Sequence, residues 1–137
     1  MNAADPDSLK RYLRQRGVKP TAPRLQIAQV LFARPAHLSA EDIYRQVTAS
    51  DRSVAKATVY NTLGLFVAKG LVREVLVDSS RVFYDSNTGP HHHLYDVSTG
   101  RLTDIPAHEV DVTALPQLPV GTTLEAVDVV VRVRTGK

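Results

Sequence analysis

The hydrophobic pattern of this 137-residue chain changes period at Leu71, and that change limits the folds open to it. Before Leu71 the apolar residues recur at helical spacing; after it they alternate. Leu9, Tyr12 and Leu13 form an i, i+3, i+4 stripe that ends at Gly17. Thr21 stands where it can cap a second helix carrying Leu25, Ala28, Val30, Leu31 and Phe32, with Pro35 as its stop. Ser39-Ala40-Glu41-Asp42 has the form of a capping box before a helix with Ile43, Tyr44 and Val47. A further helix over 54–69 places Val59, Leu63, Phe66 and Val67 on one face and meets Gly70 in a C-cap position. LVREVLVD and SRVFYDS then alternate around Asp78-Ser79-Ser80, as the arms of a hairpin do.

Helices followed by a two-stranded hairpin are the layout of a winged helix-turn-helix. Downstream, HHHLYD, RLTDIP and LEAVDVVVRVR read as strands. AHEVDVTALPQLP has room only for a short helix, because Pro116 and Pro119 interrupt it. The expected fold class is α/β (α+β): a winged-helix domain over residues 1–86 and a small α/β domain over 87–137, with the boundary near 86–89.

Charge divides at nearly the same place. Residues 1–81 hold thirteen Lys/Arg against seven Asp/Glu, whereas residues 82–137 hold four against seven. A basic first half suits a polyanion such as nucleic acid, and an acidic second half does not. The apolar runs are too short to span a bilayer, and the first ten residues contain no apolar signal core, so a cytoplasmic protein is expected. The chain has no cysteine, which excludes disulfides and thiolate zinc sites. Any metal would have to be held by histidine and carboxylate, a donor set suited to Fe, Mn, Zn or Ni.

On the helix 54–69, the face opposite the apolar stripe carries Ala57, Tyr60, Asn61 and Gly64. Small residues let such a surface approach a major groove closely. Tyr60 can meet a thymine methyl, and Asn61 can pair with an adenine edge. Lys56 and Arg52 lie near the N-terminal end, where the helix dipole favours phosphate. An ordinary solvated face would look the same on an isolated helix; the preceding helices, the hairpin and the basic balance favour DNA.

The segment DSNTGPHHHLYDVSTGRLTDIP concentrates potential metal ligands. Strand alternation points His91 and His93 to one face and His92 to the other. If 97–100 form a four-residue loop, Asp96 pairs with Arg101 and His93 lies opposite Asp104, with Cβ atoms ~5 Å apart. Asp85 is close by in sequence, and His37 is the only histidine of the basic half. A solvated loop or plain His–Asp hydrogen bonding would also account for these residues.

GVKPTAPRLQIAQVL, HLSAEDIYRQV, KATVYNTL, GLVREV and the HHH-to-GRLTDI segment together resemble the ferric uptake regulator superfamily, in order, over roughly residues 9–105. The resemblance implies a homodimeric, metal-dependent transcription regulator with an N-terminal winged helix and a C-terminal α/β dimerisation and metal-sensing domain. By resemblance to the peroxide-sensing branch, the regulatory metal would be held by His37, Asp85, His91, His93 and Asp104. Fe(II) or Mn(II) is the expected ion, with zinc admitted in vitro. The Cys-x-x-Cys pairs that hold a structural zinc in many members have no counterpart, since Asp96 and Thr99 stand at the first pair.

The cysteine-free composition and the VDVVVRVR ending look most like the iron response regulator branch. That branch regulates iron and haem genes and makes haem a further candidate cofactor, with His92 as an axial ligand. His92 could instead join Glu109 in a second metal site. The resemblance also gives Lys19 a minor-groove contact, Arg24 a phosphate contact and Tyr60 a base contact, on an AT-rich inverted repeat of double-stranded DNA; Asn61 stands where many members carry Arg. A peroxide-responsive repressor is the alternative function. A non-haem Fe(II) enzyme ranks lower, because five protein ligands leave at most one open position.

Overall fold

The structure, a computed structural model, describes residues 5–34 and 36–136. It divides into two compact units, Met1–Thr88 and Gly89–Lys137.

Among the described residues, the first unit is built from four helices and a small sheet. Helix α1 (Pro6–Gln15) starts at Asp5, whose carboxylate accepts from the Asp7 amide. It stops as Gly17 turns to φ 77°, a conformation that costs glycine little. Helix α2 (Ala22–Phe32) follows Thr21, which occupies the N-cap position without making a side-chain cap; proline in the first turn fits there because its missing donor is not needed. The expected stop at Pro35 lies outside the described residues.

The capping box at α3 (Ala40–Ser50) forms in full. Ser39 Oγ accepts from the Asp42 amide, and Asp42 Oδ2 accepts from the Ser39 amide, both at 3.1 Å. Helix α4 (Lys56–Ala68) buries Val59, Thr62, Leu63 and Phe66. A sixteen-residue apolar cluster, from Leu9 to Tyr84, ties these helices together.

One element escapes the sequence pattern. Residues His37–Ser39 form a strand, β1, which pairs antiparallel with β3 (Arg81–Asp85); β3 pairs in turn with β2 (Arg73–Asp78), so the sheet order is β1-β3-β2. A three-residue strand is too short to show alternation, and the Ser39 cap masks it in the sequence. The β2–β3 turn is fixed by Asp78 Oδ1, which accepts from the Ser80 amide at 2.8 Å.

The second unit is a three-stranded sheet in the order β5-β4-β6. Strand β4 (His91–Asp96) pairs antiparallel with β5 (Arg101–Pro106), matching Asp96 to Arg101 and His93 to Asp104 as a four-residue turn requires. Asp96 Oδ1 fastens that turn by accepting from the Ser98 amide. The helical element here is a single 3-10 turn, Ala107–Glu109.

The last strand is shorter than the alternation suggests. β6 covers only Val130–Val133, parallel to β4. Just before it, the Val129 carbonyl accepts from the His93 amide at 3.0 Å, but the Val129 amide donates to a side chain, His92 Nδ1, at 3.1 Å. No helix among the described residues is long and apolar enough to cross a membrane.

Candidate metal centre and nucleic-acid interface

The metal-ligand candidates fall into two groups, one in each unit. In the first unit, the antiparallel register of β1 and β3 places His37 directly opposite Asp85. His37 Nε2 and Asp85 Oδ2 are 3.3 Å apart, and Asp85 is buried. The other oxygen of Asp85 accepts from the Asn87 amide at 2.9 Å, which fixes the carboxylate plane.

In the second unit, alternation and register gather His91, His93 and Asp104. His91 Nε2 lies 3.4 Å and His93 Nε2 lies 3.6 Å from the same oxygen of Asp104. The two imidazoles meet edge to face with centroids 4.7 Å apart. Both histidines are buried, whereas Asp104 is 46% exposed at its side chain. One ligand atom from each of the three lies within 4.8 Å of the others.

The chemistry of this donor set fits a divalent ion. His91 Nδ1 lies 2.8 Å from the Gly89 carbonyl. A carbonyl only accepts, so Nδ1 carries a proton, and in the neutral ring this leaves Nε2, the nitrogen nearer Asp104, as the one able to coordinate. Such an outer hydrogen bond is what orients a metal-binding imidazole. Two imidazole nitrogens and a carboxylate on one face can hold Fe(II), Mn(II) or Zn(II). Gly89 was not singled out from sequence, although a Gly-Pro pair immediately before a histidine run hints at a chain reversal that exposes a carbonyl.

His92 takes a different path. It is buried, and its Nδ1 is occupied by the Val129 amide, so its proton sits on Nε2. Glu109 lies on the 3-10 turn and is exposed. Among the described residues, neither belongs to a group of three or more potential ligands.

The nucleic-acid candidates all lie in the first unit. On α4, Ala57, Tyr60, Asn61 and Gly64 are exposed, with Tyr60 at 47%, while the opposite face is buried in the core. A Cβ added at Gly64 would meet nothing within 4 Å, so the glycine leaves room beside the helix rather than answering an internal clash. Lys19 is exposed, and Arg24 donates to the Lys19 carbonyl at 3.1 Å.

Lys56, the first residue of α4, is not a free cation. Its ammonium is 2.9 Å from Glu41 on α3 and 5.8 Å from the centre of the Tyr44 ring. The Glu41 hydrogen bond, followed by its charge, raises the Lys56 pKa above the ordinary lysine value. Glu41 went unnoticed in the sequence because its place inside the capping box hides a contact to another helix.

The sequence model of the Ferric uptake regulator family matches residues 15–131. A ferric uptake regulation protein of Pseudomonas fluorescens is 37% identical over 101 residues, which span 72% of this chain and 82% of the relative. A peroxide-responsive repressor of Staphylococcus aureus is 33% identical over 92 residues, 67% of this chain and 62% of that protein. Among solved structures, a ferric uptake regulator from Pseudomonas aeruginosa with manganese superposes with a TM-score of 0.71 at 30% identity, covering 94% of this chain and 98% of that one.

Proposed function

Because the chain belongs to the ferric uptake regulator family, we propose that it is an Fe(II)- or Mn(II)-dependent DNA-binding regulator of iron or haem homeostasis genes, not an enzyme. The observation that carries this reading is the presence of metal-donor side chains in both units. His37 and Asp85 lie on the sheet of the unit that contains α4, and His91, His93 and Asp104 lie on the sheet of the other. In this reading residues 1–86 bind DNA, residues 87–137 sense metal and dimerise, and the five side chains share one ion.

A divalent ion would be held by His37, Asp85, His91, His93 and Asp104 and would supply coordination bonds to their nitrogen and oxygen donors. What the protein contributes is preorganisation. The Gly89 carbonyl sets the imidazole of His91, the Asn87 amide sets the carboxylate of Asp85, and the β4–β5 register sets the separation of His93 and Asp104. With these donors so held, the arrangement of the two units that satisfies all of them would be favoured when metal is bound. In a homodimer this would fix the spacing of two α4 helices on an AT-rich inverted repeat. Tyr60 and Asn61 would read bases, while Lys19, Arg24 and Lys56 would meet the backbone and grooves. Val131 and Val133, each 38% exposed on the edge strand β6, support self-association through the second unit.

A peroxide-responsive repressor is the second reading, supported by the all-nitrogen-and-oxygen donor set and the relative of that name. Likeness to the iron response regulator branch rests on the cysteine-free sequence together with the HHH, ATVYNTL and VDVVVRVR segments. Haem has less support, since one nitrogen of His92 is already engaged and the imidazole is buried. A gel shift on an AT-rich palindrome tests the function: Mn(II) should convert weak binding into sequence-specific binding. Equal binding with metal and with chelator would reject it. Peroxide treatment of the Fe(II) form separates the two readings, because DNA release with a +16 Da shift on His37 or His91 is expected only of the peroxide sensor.

A further inference from the structure

A cavity of about 400 Å³ opens between α2, the C-terminal half of α3 and β1 in the first unit, and none of the site residues assigned above lines it. Its volume is in the range of small-molecule sites. Val30, Leu38 and Val47 give it an apolar wall, and Gln46 brings an amide, whereas the Gln26 Nε2 is already donated to Asp51. Arg34, an exposed residue, is the only charged one among the described lining residues. A planar guanidinium with an amide nearby is matched by a carboxylate, and the apolar wall by a short hydrocarbon chain.

Two of the lining residues lead elsewhere. Leu38 follows His37 on β1, and its register partner Tyr84 precedes Asp85 on β3. Gln26 donates from Nε2 to Asp51 at 3.0 Å, and Asp51 accepts from the Ser53 amide at 3.0 Å in the loop that leads into α4. An occupant would therefore press at once on the strand that carries a metal-donor histidine and on the residue that anchors the entry to α4. We propose that this cavity is an effector site for a small aliphatic monocarboxylate, whose binding alters metal affinity through β1. The binding stands on the cavity alone; its coupling to metal rests on the function proposed above.

The probe is 4-methylpentanoate, added to the full chain without metal or DNA and followed by amide chemical shifts. A dissociation constant on the order of 1 mM suits a ligand of about eight heavy atoms. Shifts should centre on Gln26, Leu38 and Val47. The uncharged 4-methylpentanamide, and the Arg34→Gln protein with the original probe, should each bind at least about tenfold more weakly, as expected for loss of a charge-assisted contact. Ala33→Leu, at an exposed lining position, should block binding by filling the mouth. Saturation at Gln26, Leu38 and Val47 that depends on Arg34 supports the site; no shift there, or equal binding by acid and amide, overturns it. A Mn(II) dissociation constant changed about fivefold by saturating probe supports the effector role, and an unchanged value overturns that role. A protein that fails the Mn(II) gel shift yet binds the probe would reject the regulator reading and keep the site.

Discussion

The two units differ in what holds them together. The first buries a continuous cluster of sixteen apolar residues, with Leu9, Leu13, Ile27, Ile43, Leu63 and Phe66 fully enclosed. In the second, the buried side chains among the described residues are three histidines, Tyr95 and Leu102. Its apolar residues Leu115, Leu118, Val120 and Leu124 are instead exposed. A unit of about fifty residues is at the size where a metal or a second subunit is usually needed for stability. The first unit is thus stabilised by what it buries, whereas the second, under the function proposed above, would draw its stability from a metal or a second subunit. In that proposal the unit would be sensitive to its ligand, because binding energy and ordering energy are linked.

Cutting the chain at the unit boundary should break the comparison most severely. Residues 1–88 alone should keep their helical circular dichroism and a cooperative thermal transition, whereas residues 89–137 without metal should show neither a transition nor dispersed amide signals. A metal-free 89–137 that melts cooperatively would mean that its own packing suffices.

Next in size are the donors themselves. His91→Ala and His93→Ala should each weaken Mn(II) binding by more than ~100-fold, the upper end for loss of an outer-shell partner. They should also raise hydrogen exchange in β4–β6 while leaving α1–α4 protected. His37→Ala should reduce metal-dependent DNA binding with dimerisation unchanged, as read by sedimentation. Equal loss of both activities would show that His37 serves the fold rather than the metal.

Tyr60→Ala tests the opposite unit. Operator discrimination should fall by about 1–3 kcal/mol, with Mn(II) affinity intact, in competition titrations against random DNA. His92→Ala should cost about 1–2 kcal/mol of local stability, since it strips the Val129 amide of its acceptor. The fraying should be confined to β6 and should spare Mn(II) binding; a lost Mn(II) response would place His92 among the ligands.

The smallest change sharpens the comparison at the DNA side. Glu41→Gln releases Lys56 from its ion pair, which should raise non-specific DNA affinity about two- to threefold and steepen the salt dependence by roughly one phosphate contact. Stability should hardly move, because pairs between two half-exposed side chains contribute little. An unaltered salt slope would show that Lys56 never faces phosphate.

Much of this architecture is local in origin, and so it was legible. Period and caps fix α1, α3 and α4, because a helix satisfies its backbone within itself and advertises its buried face every three to four residues. The face with Tyr60 and Asn61 follows from the same geometry. The pairing of His93 with Asp104 was also within reach, since a four-residue turn sets the register of its own hairpin. What needed the tertiary structure joins residues distant in sequence. β1 exists because β3 offers it an edge, and only that pairing sets His37 against Asp85. The Val129 amide, just before β6, is held by an imidazole thirty-seven residues earlier. The Glu41–Lys56 pair and the cavity between α2 and α3 are products of helix packing. A periodic pattern reports which face of an element is buried, but not which element lies against it, and these features depend on the second.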